Sequence, residues 1–212
     1  SEQAVFNPEQ ATFMDFSVEQ KGNTRFMYVL PTSKTEALVE YTLFSHTLLT
    51  KEEYETEIKN YIQKLGISHY EIIEKEQGSI PMTCYPFWKH NTKNVINIGT
   101  AGGWTKASTG YTFKNADKKS SELVSFLETQ TDFRKLYRKT KFWWYDLLLL
   151  DILDQKNETG AAIFSALFKK GNPQLIFKFL DEETSFWEDL QIIWKCPKGL
   201  FIEALLKRLF HF

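Results

Sequence analysis

Residues 98–113 read Ile-Gly-Thr-Ala-Gly-Gly-Trp-Thr-Lys-Ala-Ser-Thr-Gly-Tyr-Thr-Phe. Residues 94–99, Asn-Val-Ile-Asn-Ile-Gly, predict a short buried strand that runs into four glycines within twelve residues: Gly99, Gly102, Gly103 and Gly110. Glycine lets a backbone come close to a flat or anionic ligand. A helix predicted to start near residues 108–110 would add unpaired N–H groups and a partial positive charge. The pattern equally describes an ordinary strand–loop–helix connection, because it is neither G-x-G-x-x-G nor a P-loop. Glu40 is the second candidate, set in Ala37-Leu38-Val39-Glu40-Tyr41-Thr42-Leu43. An apolar setting raises a carboxyl pKa by desolvation and makes it a usable acid near neutral pH. The alternative, the commoner case, is a strand carboxylate turned to solvent or paired with a lysine.

Other chemistries find less support. His46, His69, His90 and His211 are too scattered for a metal triad by local spacing, and no metal site is expected. Neither a G-x-S-x-G elbow nor C-x-x-C is present. Asp15, between Met14 and Phe16, reads either as a hydrogen-bonded buried acid or as an edge residue.

Several elements must hold these groups. Residues 11–18 and 25–31 alternate apolar and polar around Lys21-Gly22-Asn23, which predicts a hairpin. Residues 36–44 form a third strand. Residues 51–66 carry Tyr54, Ile58, Tyr61, Ile62 and Leu65 at helical spacing, with Thr50 to cap the start and Gly66 to end it. Residues 69–82 return to extended structure. Helices are predicted over 108–127, 132–153, 158–170, 173–180, 186–195 and 197–209. The expected fold class is α+β: a mainly antiparallel sheet with one covering helix, then an all-helical subdomain. The division is residues 1–107, the β-rich part carrying the glycine turn, and residues 108–212.

Composition narrows the setting. The 212 residues carry 26 Lys and Arg against 27 Asp and Glu, a net charge of -1, so no basic field exists to hold nucleic acid. Two cysteines, Cys84 and Cys196, fit a reducing, cytoplasmic compartment. The N-terminus has no cationic start and no apolar stretch, and reads as no signal peptide. No apolar run approaches the roughly 18 residues of a spanning helix. Aromatic residues reach 16%, which suits a protein handling a large apolar molecule or lying on a membrane.

Taken together and in order, Arg25-Phe26-Met27-Tyr28-Val29-Leu30-Pro31, Leu38-Val39-Glu40-Tyr41-Thr42, Ile80-Pro81-Met82, the run 97–113 and Phe179-Leu180-Asp181 resemble the flavin-dependent lycopene cyclases of carotenoid synthesis. The resemblance implies a flavoprotein whose N-terminal Rossmann unit binds the ADP half of FAD. No G-x-G-x-x-G occurs in these residues, so the chain is expected to be a C-terminal portion that alone neither holds FAD stoichiometrically nor turns over. The resemblance places Gly99, Thr100, Gly102, Gly103, Ser108, Thr109 and Gly110 at the flavin. Thr100 stands where related hydroxylases carry Asp. Glu40 falls at the family's acidic motif and is implied as the catalytic acid, whereas Glu182-Glu183-Thr184 has similar letters but sits in a helical linker. Phe26, Tyr28, Tyr41 and Trp104 are available to line a carbocation-tolerant pocket. NADPH would serve only as reductant.

The implied reaction is acid-initiated cyclisation of lycopene, or a related linear carotenoid, without net redox change. A flavin-dependent monooxygenase, an isoprenoid reductase, or a non-enzymatic lipid-surface domain are the alternatives. Because such a substrate lies in bilayers, the chain is expected to be peripheral on the membrane. Phe142-Trp143-Trp144-Tyr145 beside Arg134, Lys135, Arg138, Lys139 and Lys141 reads as bundle core. Phe201, Leu205, Leu206, Leu209 and Phe210 beside Lys207 and Arg208 read as an interfacial helix.

Overall fold

The computed structural model describes residues 1–137 and 139–210, so Arg138 and His211 lie outside the described residues. The fold is α+β, with a three-stranded antiparallel sheet and seven helices among the described residues. Two compact units form: Ser1–Gly78 with Lys156–Ala162, and Ser79–Gln155 with the described residues from Ile163 on.

In the first unit, β1 (Thr12–Asp15), β2 (Arg25–Pro31) and β3 (Ala37–Leu43) pair in the order β1-β2-β3. β1 is shorter than predicted for two local reasons. Met14 takes a positive φ, and the Asp15 carboxylate accepts from the Ser17 amide at 2.8 Å, which turns the chain. Helix α1 (Lys51–Lys64) starts on the predicted Thr50 cap, completed as a capping box by Glu53, and is followed by Gly66 at φ +79°. Period-2 alternation sends Met27, Val29 and Tyr41 to one sheet face, where Tyr61, Tyr54 and Ile58 of α1 cover them. Tyr61 donates its hydroxyl to Asp15 at 2.6 Å. Burial would raise the Asp15 carboxyl, but this bond and the Ser17 amide outweigh it and hold it below its ordinary value. Asp15 is therefore the hydrogen-bonded acid of the two readings. Asn157 ties the 156–162 segment in: its Oδ1 accepts from the buried Thr24 amide at 2.7 Å, and its Nδ2 donates to the Phe44 carbonyl at 3.0 Å.

The second unit holds α2 (Phe113–Leu127), α3 (Lys141–Gln155), most of α4 (Gly160–Lys170), α5 (Pro173–Leu180), α6 (Phe186–Ile193) and α7 (Lys198–Phe210). Asn172 and Ser185 cap α5 and α6, and Pro173 opens α5. Core clusters form around Ile152, Ile163 and Ala204 and around Leu167, Ile176 and Ile192. Phe142, Leu147 and Leu153 are buried, so α3 supplies core as its stripe predicts.

Besides β1, other predicted elements differ. The helix expected over 132–153 forms only from Lys141, after a short 3-10 turn at Phe133–Lys135. Residues 94–99 form no strand: Val95 and Ile98 are more than half exposed, and Asn97 is fastened by side-chain bonds to Asn91. An apolar alternation without a partner strand has no ladder to join. Helix α2 begins at Phe113 rather than near residues 108–110, because residues 105–112 close a turn on the Lys106 carbonyl instead. Among the described residues no α-helix N-terminus therefore stands at the glycines.

Candidate active site

Glu40 projects from the sheet face opposite α1. Its cross-strand partner is Tyr28, Thr42 sits opposite Phe26, and Leu38 opposite Leu30. The rings form a continuous row: Phe13 contacts Tyr28 at 5.3 Å between centroids, Tyr28 contacts Phe26 at 5.2 Å, and Phe26 contacts Phe16 and Phe44 at 5.6 Å each. Phe13, Leu30 and Leu38 are exposed. The surroundings are thus apolar, as the sequence suggests. Glu40 itself is exposed rather than buried, the strand carboxylate turned to solvent of the two readings. Thr42 donates its hydroxyl to Glu40 Oε1 at 2.6 Å. Burial, and secondarily the Glu40 charge, pushes the Tyr28 hydroxyl up to about 12, so that phenol keeps its proton at neutral pH. Of the other rings expected here, Tyr41 faces the core and accepts a 3.2 Å bond from Arg25. Trp104 belongs to the other unit, where it is buried.

In that second unit the glycine run forms a one-turn 3-10 helix, Gly99–Gly102, closed by Gly103 in the left-handed region. Most of its glycines answer to the chain's own packing. A Cβ at Gly102 would lie 2.1 Å from the Asn97 carbonyl oxygen, one at Gly103 would press on Phe87, and one at Gly110 on Ile80. The amides of Gly102, Gly103, Trp104, Thr109 and Gly110 donate to carbonyls within the run. Gly99 differs: its φ is +60° and nothing lies within 4 Å of where a Cβ would stand.

Just beyond the glycines lies a cluster that sequence reading missed. The Lys106 side chain is 1% exposed, and its ammonium lies 2.9 Å from Asp146 and 3.2 Å from Glu182. The Ser108 hydroxyl donates to Asp146 at 2.6 Å. Burial disfavours the ammonium, but the two carboxylates outweigh it and hold the Lys106 pKa above its ordinary value. Burial pushes the Asp146 carboxyl up against the pull of Lys106 and Ser108. Three elements are fastened at one point: the glycine turn, α3 and the α5–α6 turn, where Glu182 adopts a positive φ. The cluster borders a cavity of about 100 Å³ walled by aromatic side chains, among them Trp88, Trp104, Tyr137 and Trp143. Glu183, by contrast, is exposed.

A comparison with protein families decides between readings that the geometry alone leaves open. The family model described as lycopene cyclase protein matches residues 1–206, nearly the whole chain. The chain belongs to the lycopene cyclase family. No curated protein and no solved structure matches it.

For a lycopene cyclase the residues near the glycines must be tested against a flavin. Ser108 is buried on Asp146, Gly102, Gly103 and Gly110 are packed from within, and the Thr109 hydroxyl accepts from the Tyr111 amide. The cavity is well below the ~300–1,000 Å³ typical of sites for drug-sized ligands. The edge at Gly99 and the exposed Thr100 is open. Among the described residues no group of three or more His, Cys, Asp and Glu stands in a metal-holding arrangement.

Proposed function

We propose that the enzyme carrying this chain closes the linear end groups of lycopene, or of a related linear carotenoid, into ionone rings, with Glu40 as the acid. The observation that supports this best is the Glu40 face: among the described residues of the sheet, Glu40 is the one carboxyl side chain on a face that carries Phe13, Leu30 and Leu38 exposed and Phe26 buried. The carboxyl O–H breaks as the terminal alkene's π pair forms a C–H bond, leaving positive charge on a tertiary carbon. The neighbouring alkene's π pair then closes the six-membered ring, and loss of one proton completes the product. One proton enters and one leaves, so the reaction is an isomerisation. Aromatic faces beside the acid favour a cation, by about 0.5–2 kcal/mol for each well-placed ring. Reduced FAD, replenished by NADPH, would supply electrostatic stabilisation of positive charge or proton carriage, and Gly99 and Thr100 are the residues of the glycine run open to it.

In lycopene-accumulating cells the expected product keeps the mass of lycopene and gains ring end groups, read by chromatography and mass spectrometry. A product heavier by oxygen or hydrogen, with NADPH consumed at each turnover, would mark a flavin monooxygenase or an isoprenoid reductase instead.

The water-insoluble substrate also implies a chain lying on the membrane. No helix among the described residues is long and apolar enough to cross one. Two outward stripes support surface binding. On α7, Ile202, Leu205, Leu206 and Leu209 recur at helical spacing and are exposed, with Phe210 following. Sequence reading overlooked the second, Phe186, Trp187, Leu190 and Trp194 along α6, with Trp187 at 72% and Trp194 at 74% exposure and the Lys198 ammonium 3.3 Å from the Trp194 ring centre. Phe201 instead packs inward, and Lys207 and Arg208 pair with Glu203 and Asp151. Truncating α7 would therefore remove core along with the stripe. The cleaner variant, Leu206→Ser with Leu209→Ser and Phe210→Ser, is expected to co-sediment less with anionic liposomes than the parent. Added salt should weaken the parent's binding. Equal recovery of both chains in the pellet would count against the assignment.

A further inference from the structure

Glu40 and Thr42 stand two residues apart on β3 and therefore share a sheet face. Thr42 spends its hydroxyl proton on Glu40 Oε1 at 2.6 Å, so that oxygen is already an acceptor. Across the sheet Phe26 and Tyr28 back the two residues, and the hydroxyl bonded to the Glu40 carboxyl is that of Thr42. We propose that Thr42 is the positioning residue of the acid: by occupying Oε1 it confines the transferable proton to Oε2. This rests on the reading of Glu40 as the proton donor. A carboxyl has two oxygens, and a proton free to sit on either is aimed at the substrate only part of the time. The Thr42 bond removes that ambiguity.

The bond also gains strength during the reaction. As Oε2 loses its proton the carboxyl becomes a carboxylate, and hydrogen bonds to charged acceptors are roughly twice as strong as neutral ones. An interaction stronger in the transition state than in the ground state acts on kcat rather than on KM. The difference amounts to roughly tenfold in rate. Thr42 is not in contact with the carotenoid in this scheme, so substrate binding should not depend on it.

The test uses the purified enzyme carrying this chain, with lycopene supplied in liposomes, and compares Thr42→Val, Thr42→Ser and Glu40→Gln. Valine keeps the β-branched shape and suits a strand, so the sheet should form, which circular dichroism and the melting temperature check. The expected result is kcat about tenfold lower for Thr42→Val with KM unchanged, and near-parental kcat for Thr42→Ser, which restores the hydroxyl. Parental kcat in Thr42→Val, or a loss in Thr42→Ser as large as that in Thr42→Val, overturns the role of Thr42. If Glu40→Gln is inactive in the same assay, that failure concerns Thr42 alone and the acid assignment stands. An active Glu40→Gln removes the acid assignment and the Thr42 proposal with it.

Discussion

Lys106→Met is expected to melt about 10 °C below the parent chain, the largest stability loss of any single substitution considered. The ammonium it removes is shut from solvent and faces Asp146 and Glu182 at 2.9 and 3.2 Å. Methionine fills the space but leaves the Asp146 carboxylate buried without its counter-ion. Breaking a buried pair from one side costs roughly 3–5 kcal/mol. For a chain of 150–250 residues, each kcal/mol moves the melting temperature by roughly 2–4 °C. Adding Asp146→Asn should recover part of the loss, because the amide carries no charge to strand and can still accept from Ser108. Glu183→Gln, which alters an exposed side chain one residue from Glu182, should melt within about 1 °C of the parent. Differential scanning calorimetry of the four chains measures all of this. A Lys106→Met chain melting with the parent would mean that the cluster contributes nothing to the fold.

The elements with local signals were legible in the sequence. The alternation of β2 and β3, the Thr50 cap of α1 and the Asn172-Pro173 start of α5 each fix their element within a few residues, and each forms as predicted. Misreadings arose where contacts that spacing rules do not encode decide the conformation. The run 94–99 has the letters of a buried strand, but no neighbouring strand is there to pair with it. The start of α2 slipped to Phe113 because the Lys106 carbonyl accepts from the amides of Thr109 and Gly110, and the Lys106 amide donates to the Tyr111 carbonyl, closing a turn. The glycines suggested a ligand cradle, yet Gly102, Gly103 and Gly110 are required by Asn97, Phe87 and Ile80.

The candidate site was legible to the same degree. Glu40 stood out as a carboxylate in an apolar strand, and the pairing with Tyr28 and the row of rings give it an apolar frame. Its exposure is the commoner of the two expectations, a strand carboxylate turned to solvent, and follows from α1 covering the opposite face. Lys106, Asp146 and Glu182 are separated by 40 and 36 residues, and no spacing rule joins them. The unusual sign was a lysine and a serine set among glycines and small residues just before a helix, where solvent exposure is the ordinary expectation.

The acid itself gives the second large effect. A positioned proton donor contributes roughly 10²–10⁴-fold to rate. Glutamine matches the shape of Glu40 and can still accept from Thr42, but its amide has no proton acidic enough to give to an alkene. Folding should be unaffected, because Glu40 is exposed and the sheet core lies on the other face. The carotenoid profile of lycopene-accumulating cells expressing the enzyme with Glu40→Gln is therefore the most direct measurement. Lycopene remaining as the linear pigment, with the variant protein present at the parental level and melting at the parental temperature, is the predicted result. Ring-bearing carotenoids at the parental level in those cells would contradict the assignment of Glu40 as the acid.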